Sequence, residues 1–185
     1  MESVIVPLFS LILGTLIGGV AKAVQDRYAT FQEGRAVAAA VRAEISVLIE
    51  DFKGPGGYLE TLDGIIEYLS GLTRAVNADD MLEISVAQNP FQVFDAYCGK
   101  IGLLGDAIEA VVATYGHAKS AAADLSFLPE RHRRLPLTQE QLVAFHRSMR
   151  ATFTKAVMCG ELAITQLKQQ EARRFPSWRK RPAPA

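Results

Sequence analysis

Ser3 to Ala21 reads SVIVPLFSLILGTLIGGVA, with no charge between Glu2 and Lys22. At about 1.5 Å per helical residue this run reaches about 28 Å, close to the roughly 30 Å hydrocarbon core of a bilayer. Three structures compete for it: a membrane anchor, a cleaved signal peptide and a buried core helix. A signal peptide wants a basic start and a small-residue cleavage site, whereas Glu2 precedes this run and Gly19-Val20-Ala21 followed by Lys22 is a poor site. A helix apolar on every side also needs more surrounding protein than the rest of 185 residues supplies comfortably. The expectation is a transmembrane anchor over residues 1–22.

Lys22, Arg27, Arg35 and Arg42 follow the run and only Glu2 precedes it. Basic residues are retained on the cytoplasmic side, which predicts a single-pass protein of the inner (cytoplasmic) membrane with its body inside and its amino end outside. In that compartment Cys98 and Cys159 stay reduced; they lie in no C-x-x-C or metal-ligand spacing and read as small core residues. Ser10, Gly14 and Gly18 recur at every fourth position, forming a small-residue stripe along which two helix backbones can approach closely in lipid. That predicts a helix-association face and a homodimer, against the simpler fact that glycine is common in membrane helices.

Past Lys22 the apolar positions continue at Val24, Tyr28, Phe31, Val37, Val41, Ile45, Leu48 and Phe52, a helical stripe with no proline before Pro55. The first helix is therefore expected to run from the span to about Lys53, where Gly54-Pro55-Gly56-Gly57 ends it and lets the chain reverse. Tyr58 to Val76 reads as a second helix, antiparallel to the first. Its Glu60, Asp63 and Glu67 share a face that reads as solvated or arginine-paired; no Glu-x-x-His motif points to a metal. Asn89-Pro90 opens a short helix to Gly99, Gly102 to Gly105 reads as a turn, and Asp106 to Glu109 resembles a capping box starting a helix that stops by Pro129. A connector with Arg131, His132, Arg133 and Arg134 follows. Thr138 with Gln141, and Leu137 with Leu142, then form a capping box and staple that open a last helix running to about Arg174.

The combination Phe94-Asp95-Ala96-Tyr97, Lys100-Ile101-Gly102-Leu103-Leu104 and Tyr115 resembles a pattern of uncharacterised small bacterial proteins. Those have one N-terminal membrane span followed by a helical domain. The resemblance implies that architecture and brings no activity, cofactor or catalytic residue with it.

The formal net charge of zero conceals an uneven distribution. Met1 to Leu128 carries 8 Lys+Arg against 16 Asp+Glu, and Pro129 to Ala185 carries 12 against 4. Two parts of one domain attracting each other is the default explanation, and a basic region seeking nucleic acid is the alternative. No nucleic-acid recognition motif accompanies the basic third, so nucleic acid is the weaker partner. For an enzyme, Cys98 with His117 is the one pair that offers a nucleophile and a base, and neither an orienting group nor an oxyanion turn is identifiable. His146 lies beside the core stripe and reads as a satisfied core histidine. No phosphate-binding loop, dinucleotide fingerprint or zinc spacing appears, so no catalytic, metal or cofactor residue is assigned.

These observations predict an all-α protein: a transmembrane helix continuous with a long helix, and three or four further helices forming an antiparallel bundle over 23–174. Residues 175–185 form a basic, proline-rich tail. Arg173, Arg174, Phe175, Trp178, Arg179, Lys180 and Arg181 are the expected lipid contact, because basic residues favour anionic headgroups and tryptophan favours the interface. The expected function is a membrane-tethered interaction or scaffold module, self-associating and open to a protein partner; a nucleic-acid-associated protein and a helical enzyme are the alternatives. Replacing Gly14 and Gly18 together by Leu is expected to weaken dimer formation in a membrane-helix association assay without impairing insertion. Unchanged association would remove the stripe from the interface.

Overall fold

A computed structural model describes the backbone of residues 2–73, 91–134 and 137–175, and the side chains of 14–73, 91–127 and 137–175. Among the described residues the protein is all-α. Helix α1 spans Glu2–Lys53, α2 Tyr58–Gly71 and α3 Gln92–Tyr97; a 3₁₀ segment at Cys98–Ala107 leads into α4, Ile108–Arg134, and α5 is Gln139–Ala172. As expected, α1 is one uninterrupted helix of 52 residues that ends before the glycine-proline turn.

Helix α5 is the element on which the others are laid. Its partners advance steadily as the chain proceeds: Glu171 pairs with Arg42, Glu161 with Lys53 and Arg150 with Asp63, and Gln139 reaches the carbonyls of Leu69 and Leu72. Both α1 and α2 are therefore antiparallel to α5 and run in the same sense, so the expected reversal after Lys53 does not occur. Length explains why. The 34 residues of α5 extend about 51 Å, whereas the bundled part of α1 from Gly34 onward covers only about 30 Å. The 14-residue α2 covers the remaining end with Leu62, Ile65 and Leu69. Gly56, at φ 71°, supplies the left-handed residue of the elbow, and its N–H donates to Glu60 Oε2 at 2.6 Å. Phe52, Tyr58 and Phe153 close the elbow, with Phe52 and Phe153 4.9 Å apart between ring centroids and Tyr58 stacked on Phe153 at 5.5 Å.

The start of α5 forms as its sequence predicts. Gln141 N–H donates to Thr138 Oγ1, and Thr138 N–H donates to Gln141 Oε1, so two orphan donors are satisfied reciprocally. Leu137 packs with buried Leu142 in the same small cluster as Ile65 and Leu69. The Gln139 amide meanwhile occupies carbonyls that α2 leaves open at its end.

Other boundaries differ from expectation. Helix α4 begins at Ile108, not Asp106, and continues through Pro129 to Arg134. Proline there forfeits one hydrogen bond, to the Leu125 carbonyl. The expected turn at Gly102 to Gly105 is part of the 3₁₀ segment, whose three-residue repeat turns Leu104 and Ala107 into the core. Gly105, at φ 57°, breaks that segment just before α4. Cys98 is exposed and Cys159 half-buried, so Cys98 is not a core residue. The expected helix start at Asn89-Pro90 lies outside the described residues, and Arg131 to Arg134, expected in a connector, are the last turn of α4, with side chains outside the described set.

Helices α1 and α5 pack closely at Gly160. A Cβ built there would lie 2.9 Å from Ile49 Cδ1 and 3.2 Å from Ile45 Cγ2. Gly160→Val is expected to destabilise the bundle by about 1–3 kcal/mol through overpacking. Gly116→Ala, in α4 with nothing within 4 Å, is expected to stabilise it by about 0.5–1 kcal/mol. Urea denaturation of both variants checks the opposite signs.

Candidate membrane-proximal site

One end of the bundle is defined by where α5 stops. Past Ala172 the chain turns so that Phe175 packs against α1, its ring 5.3 Å from Tyr28 and 5.6 Å from Phe31. Arg173 Nη2 donates to Asp106 Oδ2 at 2.7 Å, and Gln170 Nε2 donates to the Leu103 carbonyl, which clamps the 3₁₀ segment to the end of α5. On the facing side Gly34 permits the backbone contact: a Cβ there would sit 3.3 Å from the Leu103 carbonyl oxygen. Lys100 donates to Glu33 at 2.5 Å, and the Arg35 guanidinium lies 5.9 Å from the Phe31 ring centre.

Below this end α1 continues alone. Every described residue from Gly14 to Thr30 is exposed, including Leu16 at 61%, Ile17 at 62%, Val20 at 64% and Val24 at 51%. From Val37 the same helix becomes a core element, with Val37, Ala38, Val41, Ile45 and Leu48 all 2% exposed or less. Among the described residues no helix is long and apolar enough to cross a membrane. Most of the expected span at Ser3–Ala21 lies among residues 3–13, whose side chains are outside the described set.

The expected contact residues separate accordingly. Gly14 and Gly18 are exposed with nothing within 4 Å, while Ser10 lies outside the described side chains. Arg174 is exposed; Arg173 is held by Asp106, and Phe175 by Tyr28 and Phe31. Trp178, Arg179, Lys180 and Arg181 lie outside the described residues.

A second polar site, which the stripe analysis missed, is centred on Glu44. Its carboxylate accepts from Val93 N–H at 2.7 Å, Phe94 N–H at 2.9 Å and the Tyr115 hydroxyl at 2.5 Å. It thereby satisfies two free donors at the start of α3 and holds that helix against α1 and α4. Phe94 stacks on Tyr115 at 4.0 Å above it. Burial, reinforced by the Glu44 hydrogen bond and charge, pushes the Tyr115 hydroxyl pKa far above its ordinary value, so it remains a donor. The signal was present in sequence: an acid at position 44 interrupts the otherwise apolar series Val37, Val41, Leu48. This is a structural hub, with all three contacts internal.

The residues considered for chemistry are not assembled. No hydrogen bond joins exposed Cys98 to half-buried His117. Among the described residues no cluster of His, Cys, Asp or Glu is placed to hold a metal. Asp63 is instead paired with Arg150, whose guanidinium holds that carboxyl below its ordinary range. His146 is 4% exposed and its Nδ1 bonds the Leu142 carbonyl at 2.7 Å, as a satisfied core histidine should. No protein family, curated protein or solved structure matches this chain, so the functional reading rests on its own residues.

Burial lowers the His146 pKa, with the Leu142 hydrogen bond opposing the shift. The unfolded chain therefore takes up this proton first as pH falls. His146 contributes fully above its unfolded pKa of about 6.5, and the contribution is lost as pH falls toward the depressed folded value. Denaturant titrations between about pH 5 and 6.5 are expected to show stability declining with acid in the native chain and a shallower decline in His146→Gln.

Proposed function

We propose that the chain is a single-pass membrane protein whose all-α body serves as an interaction or scaffold module and not as an enzyme. The observation that carries this reading is the change along α1, from exposed apolar residues at 16–24 to core positions from Val37, within one unbroken helix. Moving side chains such as Leu16, Ile17 and Val20 out of water is worth about 1.5–3 kcal/mol each. The bundle offers them no cover, so the bilayer does. The uncharged run from Ser3 has the length of a span, and the basic residues after it favour a cytoplasmic body at the inner membrane.

Self-association through Ser10, Gly14 and Gly18 is part of the proposal. It is supported by the spacing and by the open space at Gly14 and Gly18, where a Cβ would meet nothing within 4 Å among the described residues. The body would present its exposed helix faces to a protein partner. Nucleic acid fits less well, because Arg150 and Arg173 of the basic third are already paired with Asp63 and Asp106.

Extraction of membranes with alkaline carbonate tests the anchor. The intact chain is expected to stay with the bilayer, and a Leu16→Arg, Ile17→Arg variant to be released while its bundle melts unchanged, since Leu16 and Ile17 are exposed and lie outside the core. Exposed Cys98 reports orientation: an impermeant maleimide is expected to label it only after the cells are permeabilised. Release of the unmodified chain would overturn the anchor, and labelling in intact cells would overturn the orientation.

A further inference from the structure

We infer that Arg27, Arg35 and Arg174 form an anionic-phospholipid contact at the foot of the bundle, held in register by the Tyr28–Phe31–Phe175 cluster. This inference rests on the membrane-anchor reading. Phe175 links the end of α5 to α1, and so brings Arg174 beside a helix segment from which it is separated by more than a hundred residues of chain. All three arginines are exposed and, among the described residues, none is engaged in an ion pair.

The neighbouring acids do not neutralise them. Glu33 is paired with Lys100 and Asp106 with Arg173. Asp26 stands about two and a half helical turns from Arg35, hence on the opposite side of α1, four residues from Lys22 on its own face. What remains is a positive surface with aromatic rings at its centre, one of them under the Arg35 guanidinium.

Height suits a headgroup better than any other anion. Arg27 lies six residues beyond Ala21, about 9 Å along the helix, at the outer edge of the headgroup layer, which its side chain reaches by leaning toward the N-terminus. Arg35, whose backbone lies about 12 Å farther along α1, leans back over Phe31 toward Arg27. The planar guanidinium fork suits phosphate oxygens and leaves its donors free while its face rests on a ring. Arg173 is excluded from the contact, because its guanidinium is committed to Asp106.

The full chain, reconstituted in bilayers of phosphatidylcholine with phosphatidylglycerol, can be probed with spin-labelled versions of each lipid. Both labels are expected to show a motionally restricted population, with phosphatidylglycerol preferred several-fold and the preference lost in high salt. Replacing Arg27, Arg35 and Arg174 together by Gln should abolish the preference. Replacement by Lys should retain most of it, and Lys155→Gln, exposed on the middle of α5, should leave it intact. Restriction of both lipids without preference would overturn the inference and leave the anchor standing. Preference surviving the triple Gln variant would also overturn it. No restricted lipid of either kind would overturn the anchor reading itself.

Discussion

The structure depends on the antiparallel seam between α5 and the rod formed by α1 and α2. Within it Gly160 leaves no room for a side chain between the α5 backbone and Ile45 and Ile49. On either side Phe153, Ala156, Ala163 and Leu167 are at most 2% exposed. Because helix length is rigid at about 1.5 Å per residue, a seam set at one level is propagated to every other. That rigidity makes α2 a continuation of α1 instead of a return, and brings Phe175 to the level of Tyr28.

Charge is distributed along the same seam. The acidic front and basic rear of the chain meet as Asp63 with Arg150 and Asp106 with Arg173, while Arg42 with Glu171 and Lys53 with Glu161 run the opposite way. These pairs are partly exposed, and each contributes modestly to stability. Their larger effect is on register, since sliding α5 along the rod would part them. Of the basic rear, Arg150 and Arg173 are held within the bundle by such pairs. Glu44 belongs to a different class: three short bonds from α3 and Tyr115 make it the polar pin of an otherwise apolar core.

A bundle fixed to one projecting helix has its orientation set by that helix. Residues 14–30 are exposed, and of their large side chains Tyr28 meets the end of α5 through Phe175, while Leu16, Ile17, Val20 and Val24 lie outside the core of the bundle. Helix α4 and the two-part rod run away from the proposed membrane and α5 runs back. The foot therefore gathers the end of α5, the 3₁₀ segment and the exposed part of α1 in one place. A bundle built this way keeps its far end, where α2 meets the start of α5, about 50 Å from its foot.

The features legible in the sequence were those decided within a few residues. The capping box at Thr138 and Gln141, the extent of α1 to Lys53, the core stripe through Val41, Ile45 and Leu48, and the core role of His146 all follow from local hydrogen bonding or helical periodicity. The direction of α2 did not follow, because Gly54 to Gly57 permit a reversal and a bend alike. The choice was made by the length of α5, a helix that begins more than eighty residues later. The role of Glu44 was likewise set by donors on α3 and α4, distant in the chain, although an acid within an apolar stripe marked the position. Pro129 did not stop α4, whose backbone stays helical through it to Arg134. Local chemistry determined which segments are helical and where several of them begin. Only the packing of rigid rods of unequal length decided how they run past one another, and hence which arginines share a surface.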